Sequence, residues 1–168
     1  MRRKNDFYPT ESKLTKEMLK IVGQFISGLI YEPCAGKNHI VNELLLRYDF
    51  NNIASGDITL GRDACNLKQW PDNIRWTITN PPFKHALKIL QNALLKSEKG
   101  VIFLTRITFL EPTYDRQDFW TLNPPDLLII NPRTSFTGDG KSDSTTTCWI
   151  CYGDFGNTQP INFIRKLE

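Results

Sequence analysis

The chain has 168 residues, a formal net charge of +3 and 40% hydrophobic residues, a size and composition that fit one globular domain. No apolar run reaches the ~20 residues of a membrane-spanning helix, and the basic start at residues 1–4 lacks the apolar stretch of a secretory signal. The mild positive charge permits a nucleic-acid partner without indicating one, because dedicated binders carry a denser basic surface.

The cysteines do not suggest a metal centre. Cys148 and Cys151 have CxxC spacing but fall inside an expected strand, where residues three apart point to opposite faces. Cys34 and Cys65 are far apart in the sequence, so a regular set of zinc ligands is missing. We expect buried, reduced cysteines, no metal and a cytoplasmic protein.

Apolar residues recur at helical spacing from Leu14 to Ile26, which predicts a first helix that Thr10 or Ser12 caps and Gly28 ends. Short apolar runs then alternate with helical patterns. The predicted strands cover residues 29–31, 52–55, 76–79 and 101–105, with a presumed further strand before Asp63, and the predicted helices run through residues 40–45 and 84–96. This alternation indicates a doubly wound, Rossmann-like parallel sheet with helices on both faces.

The last part of the chain changes character. Residues 126–130 and 145–152 read as two strands joined by a polar loop at residues 131–144. Because no strong helix separates them, we expect them to pair antiparallel at the sheet edge. Loops of this length in a compact domain are usually functional or disordered, and we expect a function for this one.

Three sequence features predict a cofactor site at the carboxyl edge of the sheet, where open α/β sheets bind ligands. The small-residue turn Glu32-Pro33-Cys34-Ala35-Gly36 allows close backbone approach, and Glu32 could hold a cationic group. Asp57, after the second strand, can accept both hydroxyls of a ribose. Asp63, in the pair Asp63-Ala64, can accept a hydrogen bond from an adenine amino group.

The known phosphate-binding signatures are absent from this region. There is no Gly-x-Gly-x-x-Gly, and Gly36-Lys37-Asn38 lacks the elements of a phosphate-binding loop. We therefore expect a nucleoside-type cofactor without phosphates. The competing interpretation is an ordinary turn of an α/β fold.

The tetrapeptide Asn80-Pro81-Pro82-Phe83 follows the strand at residues 76–79 directly. Two prolines fix the backbone and remove two N–H donors, so carbonyls and the Asn80 amide oxygen can converge as acceptors on an amine. Positioning of that kind supplies much of the rate of a methyl transfer. Phe83 offers a flat face on which a planar substrate such as a base can stack. A simple proline turn that ends a strand is the alternative.

With these features, the chain resembles the class I S-adenosylmethionine-dependent methyltransferases of the amino-group type, whose motif reads Asn/Asp-Pro-Pro-Tyr/Phe. It is most similar to the small phage-type adenine-N6 DNA methyltransferases. The resemblance covers nearly the whole chain and implies a seven-stranded, mostly parallel sheet with an antiparallel edge strand near the C-terminus. Residues 1–168 would form a single catalytic domain without a separate target-recognition domain.

The resemblance also implies roles for individual residues. Asn80 and the Pro81 carbonyl would hold the N6 amine of an adenine that is flipped out of DNA, and Phe83 would stack on the base. Residues expected to bind S-adenosylmethionine, with S-adenosylhomocysteine as product, are Tyr8, Pro9, Thr10, Glu32, Pro33, Cys34, Ala35, Gly36, Asp57, Asp63, Ala64 and Asn80. Residues expected to bind the substrate are Phe83, Arg106, Arg133, Phe136 and Lys141.

One departure concerns Asn38, which stands where the glycine-rich motif usually has a further Gly. Asn tolerates a positive φ better than most residues, so we expect the turn to form, with cofactor affinity as the property in question. Without a recognition domain, we expect loose or short sequence specificity, or help from a partner subunit.

Two other functions remain open on the sequence. One is methylation of another amine, in an RNA base or a protein glutamine, because those families share the tetrapeptide. The other is a non-catalytic module that binds nucleic acid or forms one subunit of a complex. The N-terminal motif Asp6-Phe7-Tyr8-Pro9-Thr10 and the late loop Ser135-Phe136-Thr137-Gly138-Asp139-Gly140-Lys141 resemble segments of the DNA methyltransferases, and these flanking segments favour DNA.

Overall fold

The structure, a computed structural model, describes residues 10–132 and 146–164. Four helices occur in these ranges: α1 (Ser12–Val22), α2 (His39–Leu45), α3 (Ala86–Lys96) and α4 (Gln117–Leu122). The strands are β1 (Ile30–Glu32), β2 (Ile53–Ser55), β3 (Trp76–Thr79), β4 (Gly100–Arg106), β5 (Leu127–Ile130), β6 (Thr147–Tyr152) and β7 (Ile161–Phe163).

The strands form one seven-stranded sheet in the order β2-β1-β3-β4-β6-β5-β7. β1 to β4 pair in parallel, β6 runs antiparallel to both β4 and β5, and β7 pairs in parallel with β5. The predicted class, a mostly parallel doubly wound sheet with an antiparallel strand near the C-terminus, is confirmed. β5 and β7 lie outside β6 on that side of the sheet.

Helices cover both faces of the sheet. Leu14, Met18 and Val22 of α1 are fully buried and pack with Ile40 and Leu44 of α2 against one face. On the other face, Ile89 and Leu90 of α3 pack with Phe103 and Ile150, and Phe119 and Trp120 of α4 contact the same cluster. Each helix thus buries its one apolar stripe against the sheet, as helical periodicity requires.

The two cysteines of the CxxC pattern lie in different clusters. Cys148 belongs to the cluster on the α3 side and Cys151 to the cluster on the α1 side. The prediction that they face opposite sides of the sheet is confirmed, and no single metal ion could bind both thiols there.

The structure differs from the sequence predictions at both ends of α1. The N-cap residue is Glu11, without a side-chain cap bond, because the Thr10 hydroxyl contacts a different residue, described below. The helix ends at Val22, and a 3-10 turn follows at Gly23–Phe25. The predictions also missed α4 and β7, which are short.

The presumed strand before Asp63 is absent from the structure. Residues between Gly56 and Arg75 form turns and short 3-10 segments, and β3 pairs directly with β1. Ile58 and Leu60, which could have supplied a buried strand, are 61% and 79% exposed. Within the described ranges, no helix has the length and apolar character needed to cross a membrane.

Gly100 provides a test of the packing between β3, β4 and β6. A Cβ at this position would lie 2.2 Å from the Tyr152 carbonyl oxygen and 2.4 Å from a ring carbon of Trp76. Because a backbone atom cannot move aside as a side chain does, Gly100→Ala should lower the free energy of unfolding by about 1–3 kcal/mol. Urea denaturation measures the change.

A matched control is Gly61→Asn. Gly61 has a φ of +75° with no atom within 4 Å of its potential Cβ, and Asn tolerates this backbone region. We expect its free energy of unfolding to stay within about 0.5 kcal/mol of the parent protein. Equal effects of the two substitutions would contradict the packing described here.

Candidate functional site

The proposed site residues gather at one edge of the sheet because three neighbouring parallel strands end there. Glu32 is the last residue of β1, Asn80 follows β3, and Arg106 is the last residue of β4. β3 lies between β1 and β4, so Glu32 and Arg106 flank Asn80. The arrangement matches the rule that open α/β sheets bind ligands outside the carboxyl ends of their strands.

Glu32 is a buried carboxyl group, with 1% of its surface exposed. Its Oε1 accepts hydrogen bonds from the backbone N–H of Cys34, at 2.9 Å, and from the Thr79 hydroxyl. Burial raises its pKa to about 8, because desolvation outweighs the two hydrogen bonds, and the nearby Asp57 adds to the rise. Among the described residues, no lysine or arginine forms an ion pair with Glu32.

Asp57 joins the turns that follow β1 and β2. Its Oδ2 accepts from the Gly36 N–H at 2.8 Å, and its Oδ1 accepts from the Thr59 N–H at 2.9 Å and the Thr59 hydroxyl at 2.6 Å. Partial burial opposes ionisation, but these hydrogen bonds from Thr59 and Gly36 prevail and lower its pKa. Asp57 is therefore ionised at neutral pH.

The hydrogen bonds of Asp57 limit how it could bind a ribose. A carboxylate has about four acceptor positions, and the structure uses three of them. One ribose hydroxyl could be accepted at Oδ2 without rearrangement. A second would have to replace the Thr59 hydroxyl, which can rotate away.

The turn after β1 has the backbone shape that its small residues predict. Gly36 and Asn38 have φ values of +51° and +61°, and the Asn38 N–H donates to the Ala35 carbonyl at 2.7 Å. The prediction that Asn38 supports the turn in place of glycine is confirmed, because asparagine is among the few residues that occupy this region readily. Gly56 fastens the turn to β2 by accepting from Ala35 and donating to Glu32, each at 2.9 Å.

Asp63 and Ala64 are held near β1 without a strand of their own. Asp63 Oδ1 accepts from the Cys65 N–H at 2.9 Å. The Ala64 carbonyl accepts from the indole N–H of Trp70, at 3.0 Å, and from the Asn92 amide, at 2.9 Å. Trp70 in turn makes an edge contact with Tyr31 of β1, at 5.2 Å between ring centroids.

The tetrapeptide begins with Asn80, whose side-chain amide is oriented by a hydrogen bond to Thr10. Asn80 Nδ2 donates to the Thr10 hydroxyl at 3.0 Å, so Oδ1 is the side-chain atom that can accept a hydrogen from an amine. Pro81 is buried. The Pro82 carbonyl accepts from the His85 N–H at 3.0 Å, so the turn that begins α3 uses that carbonyl.

Phe83 and Arg106 contact each other at this edge of the sheet. The guanidinium carbon of Arg106 lies 4.4 Å from the centroid of the Phe83 ring, within the range of a cation–π contact. Phe83 is half-buried, whereas Arg106 is exposed. The two residues assigned to substrate binding therefore lie against each other.

The described residues bring together the predicted groups Thr10, Asn80 and Phe83 on one side and Glu32 and Asp57 on the other. Five predicted residues lie outside the described ranges: Tyr8, Pro9, Arg133, Phe136 and Lys141. Sequence reasoning missed Thr79, which donates to Glu32, and Thr59, which donates to Asp57. A threonine that directly precedes Asn80 at the end of a buried strand was the available signal for the first.

No protein-family model and no curated protein matches this sequence. Solved structures do match its fold. The methyltransferase subunit of a type I restriction–modification system from Streptococcus thermophilus aligns over 94% of this chain and 47% of its own, with a TM-score of 0.62 and 14% identity. This chain therefore spans about half the length of that subunit.

Two further solved structures align over most of this chain. A Listeria monocytogenes protein proposed to be a class I S-adenosylmethionine-dependent methyltransferase covers 96% of this chain and 66% of its own, with a TM-score of 0.59 and 14% identity. A Pyrococcus horikoshii protein proposed to be an RNA methyltransferase covers 87% and 86%, with a TM-score of 0.62 and 13% identity. At these identities the likeness shows a common fold.

The raised pKa of Glu32 predicts a pH-dependent stability. Between the ordinary value of 4.5 and about 8, the folded protein holds a proton that the unfolded chain releases. The free energy of unfolding should therefore fall as pH rises through this window, by on the order of a few kcal/mol. Glu32→Gln, which cannot titrate at this position, should lack this part of the pH dependence.

Thermal or urea unfolding of both proteins at pH 5, 6, 7 and 8 tests the prediction. The difference in stability between Glu32→Gln and the parent protein removes the contributions of all shared titrating groups. We expect this difference to grow in favour of the variant as pH rises. A difference that stays constant from pH 5 to 8 would contradict the assignment.

Proposed function

We propose that this protein transfers a methyl group from S-adenosylmethionine to the exocyclic N6 amine of adenine in DNA. The observation that carries the proposal is the placement of Asn80, between the strand ends that bear Glu32 and Arg106. We take the Glu32 side of this edge as the cofactor half of the site and the Arg106 side as the target half, and Asn80 lies between them. The fold, shared with solved methyltransferases, is the one such a reaction would use.

The cofactor half fits a nucleoside that carries an amino acid. Glu32 offers a carboxyl group to an ammonium, Asp57 is ionised and has an acceptor position for a ribose hydroxyl, and the Cys34–Gly36 turn allows close backbone approach. S-adenosylmethionine supplies a methyl group on a positively charged sulfur. The residues of the chain would hold it so that this methyl faces Asn80.

The target half fits a planar amine. Nδ2 of Asn80 donates to the Thr10 hydroxyl, so Oδ1 is the acceptor atom of that amide, and the Pro81 carbonyl follows directly along the chain. Two acceptors orient the amine hydrogens and so direct its lone pair outward, where positioning contributes to the rate. Phe83 would stack on the ring that bears the amine.

The preference for DNA rests on the resemblance of the flanking segments and on the restriction–modification subunit among the structural neighbours. A methyl acceptor in RNA is the second candidate, favoured by the Pyrococcus horikoshii neighbour. A protein glutamine would present the same amine to Asn80. A partner subunit could supply the recognition of a DNA sequence.

A transfer assay separates these substrates. Labelled methyl from S-adenosylmethionine is offered to duplex DNA, RNA and protein, and the modified nucleoside or residue is identified. We expect N6-methyladenine in DNA. Label found only in RNA or only in protein would overturn the DNA assignment, and no cofactor binding at millimolar concentration would overturn the enzymatic one.

Asn80→Ala should abolish methyl transfer while cofactor affinity changes little, because we assign Asn80 to the target amine and most of the expected cofactor contacts come from other residues. Thr10→Val is the matched control. It removes the hydroxyl that accepts the hydrogen bond from Asn80 Nδ2 and keeps the acceptor Oδ1 of Asn80. We expect Thr10→Val to retain transfer at a reduced rate. Equal loss in both variants would mean that Asn80 acts only by holding the segment at Thr10.

Cofactor binding should also release a proton. An ammonium group beside Glu32 favours its charged form, which lowers a pKa that burial has raised to about 8. Calorimetry at pH 7 in buffers of different ionisation enthalpy counts the protons released, and Glu32→Gln is the control. An equal count for the parent protein and the variant would contradict an ammonium site at Glu32.

A further inference from the structure

Two exposed lysines follow the tetrapeptide at the start of α3. Lys84 comes one residue after Phe83, in the 3-10 turn, and Lys88 is the third residue of α3. The ion pairs between described residues use other lysines and arginines. Because Lys84 and Lys88 are four residues apart in a helical segment, their side chains lie on one face. The start of α3 therefore presents two positive charges without an ion-pair partner among the described residues.

The other end of α3 is different. Lys96, its last residue, forms an ion pair with Asp72 at 3.1 Å. This end of the helix is remote from Asn80, which lies before its start. The helix thus pairs a lysine at the end away from the proposed site and leaves Lys84 and Lys88 unpaired within the described ranges at the end beside it.

The position of Lys84 and Lys88 is unfavourable for the helix itself. The amino end of a helix carries the positive end of its dipole, so cations in or next to the first turn are destabilising. The first turn of α3 contains no acidic residue that could offset them, and like charges four residues apart repel each other. A conflict of this kind between residue choice and local stability is typical of functional surfaces.

Lys88 also lies near the segment that we assign to the adenine of the cofactor. Burial and the neighbouring Asp63 raise the pKa of the Cys65 thiol, whereas Lys88 opposes the rise. Asn92 of α3 holds the same segment by donating to the Ala64 carbonyl at 2.9 Å. Asp63 and Lys88, both within the described ranges, form no ion pair. The charge of Lys88 is therefore held beside the site by a helix that is fastened to it.

The loop that follows β4 at the same edge of the sheet has the opposite charge. Glu111, Asp115 and Asp118 are exposed. The one cation of this stretch, Arg116, is half-buried and donates to the Phe109 carbonyl at 2.7 Å. A polyanion would be repelled from this loop and attracted to the start of α3.

We propose that Lys84 and Lys88 form a phosphate-binding surface, along which the backbone of the DNA substrate runs while the target base reaches Asn80. The inference rests on the proposed function, because that function supplies the DNA. It adds the path of the backbone and the residues that hold it. Phosphate contacts of this kind position a nucleic acid without reading its sequence.

The test measures the affinity for a short DNA duplex at several salt concentrations, for the parent protein and a variant with both Lys84→Gln and Lys88→Gln. Each lost phosphate contact should reduce the slope of log K against log salt by about 0.9, and the affinity near 0.1 M salt by about five- to tenfold. The loss should be equal for duplexes with and without adenine.

Thermal unfolding of the same variant provides a second measurement. Removal of two cations that oppose the helix dipole should raise the Tm by about 1–4 °C. DNA affinity and stability should therefore change in opposite directions. A purely structural role for the two lysines would lower the Tm, and that result would overturn the proposal.

Two controls isolate the position and the charge. Lys99 is also exposed and has no ion-pair partner among the described residues, but it lies before β4, at the amino edge of the sheet, so Lys99→Gln should leave DNA affinity unchanged. Lys84→Arg with Lys88→Arg keeps both charges and should keep the salt slope. Unchanged affinity in the double glutamine variant, an equal loss in Lys99→Gln, or no binding of the duplex by the parent protein at low salt would overturn the proposal.

The proposed function can fail separately. A parent protein that methylates DNA, with a double glutamine variant that binds the duplex as tightly as the parent, would refute the phosphate-binding surface and retain the methyltransferase. A lower affinity and salt slope of the variant, in a protein that methylates no DNA, would retain the surface and refute the proposed function.

Discussion

The buried carboxyl of Glu32 links the two halves of the site. It lies at the end of β1, and its Oε1 accepts from the Thr79 hydroxyl on β3 and from the Cys34 N–H in the turn that follows β1. Thr79 directly precedes Asn80. The residue expected to bind the cofactor therefore fixes the strand end from which the Asn80 amide, proposed to bind the target, extends. Burial makes these bonds strong because little water competes for them.

The segment around Asp63 keeps its place without the strand that the sequence predicted before it. The Asp63–Ala64 pair is held near β1 by Trp70 and Asn92, whose hydrogen bonds fix the backbone as a paired strand would. Side chains thus substitute for a ladder. As a consequence, β2 is the edge strand on this side of the sheet. It has only three residues and is partly exposed. Short edge strands are one way in which proteins limit unwanted pairing with other chains.

The fold was largely predictable because its signals are periodic. β3, α3 and β4 appear within two residues of their predicted bounds, since apolar runs and helical spacing reflect burial directly. The prediction of a strand before Asp63 was wrong. A run that contains Ile58 and Leu60 has the composition of a buried strand, but both side chains are exposed in the structure. The turn at Asn38 was predictable because a positive φ depends mainly on the residue type at that position. The contact between Arg106 and Phe83 was not predictable, because only the order of the strands in the sheet brings the two residues together.

The carboxyl of Glu32 also shows how a buried acid is accommodated in a site of low dielectric constant. Its pKa of about 8 means that the group holds a proton at neutral pH, so the protein does not bury an unpaired negative charge at the end of β1. An ammonium group of a ligand would favour the charged form of the same carboxyl. Under the proposed function, such a ligand would replace the proton without requiring the backbone around Glu32 to change, so less of its binding free energy would be spent on reordering the site.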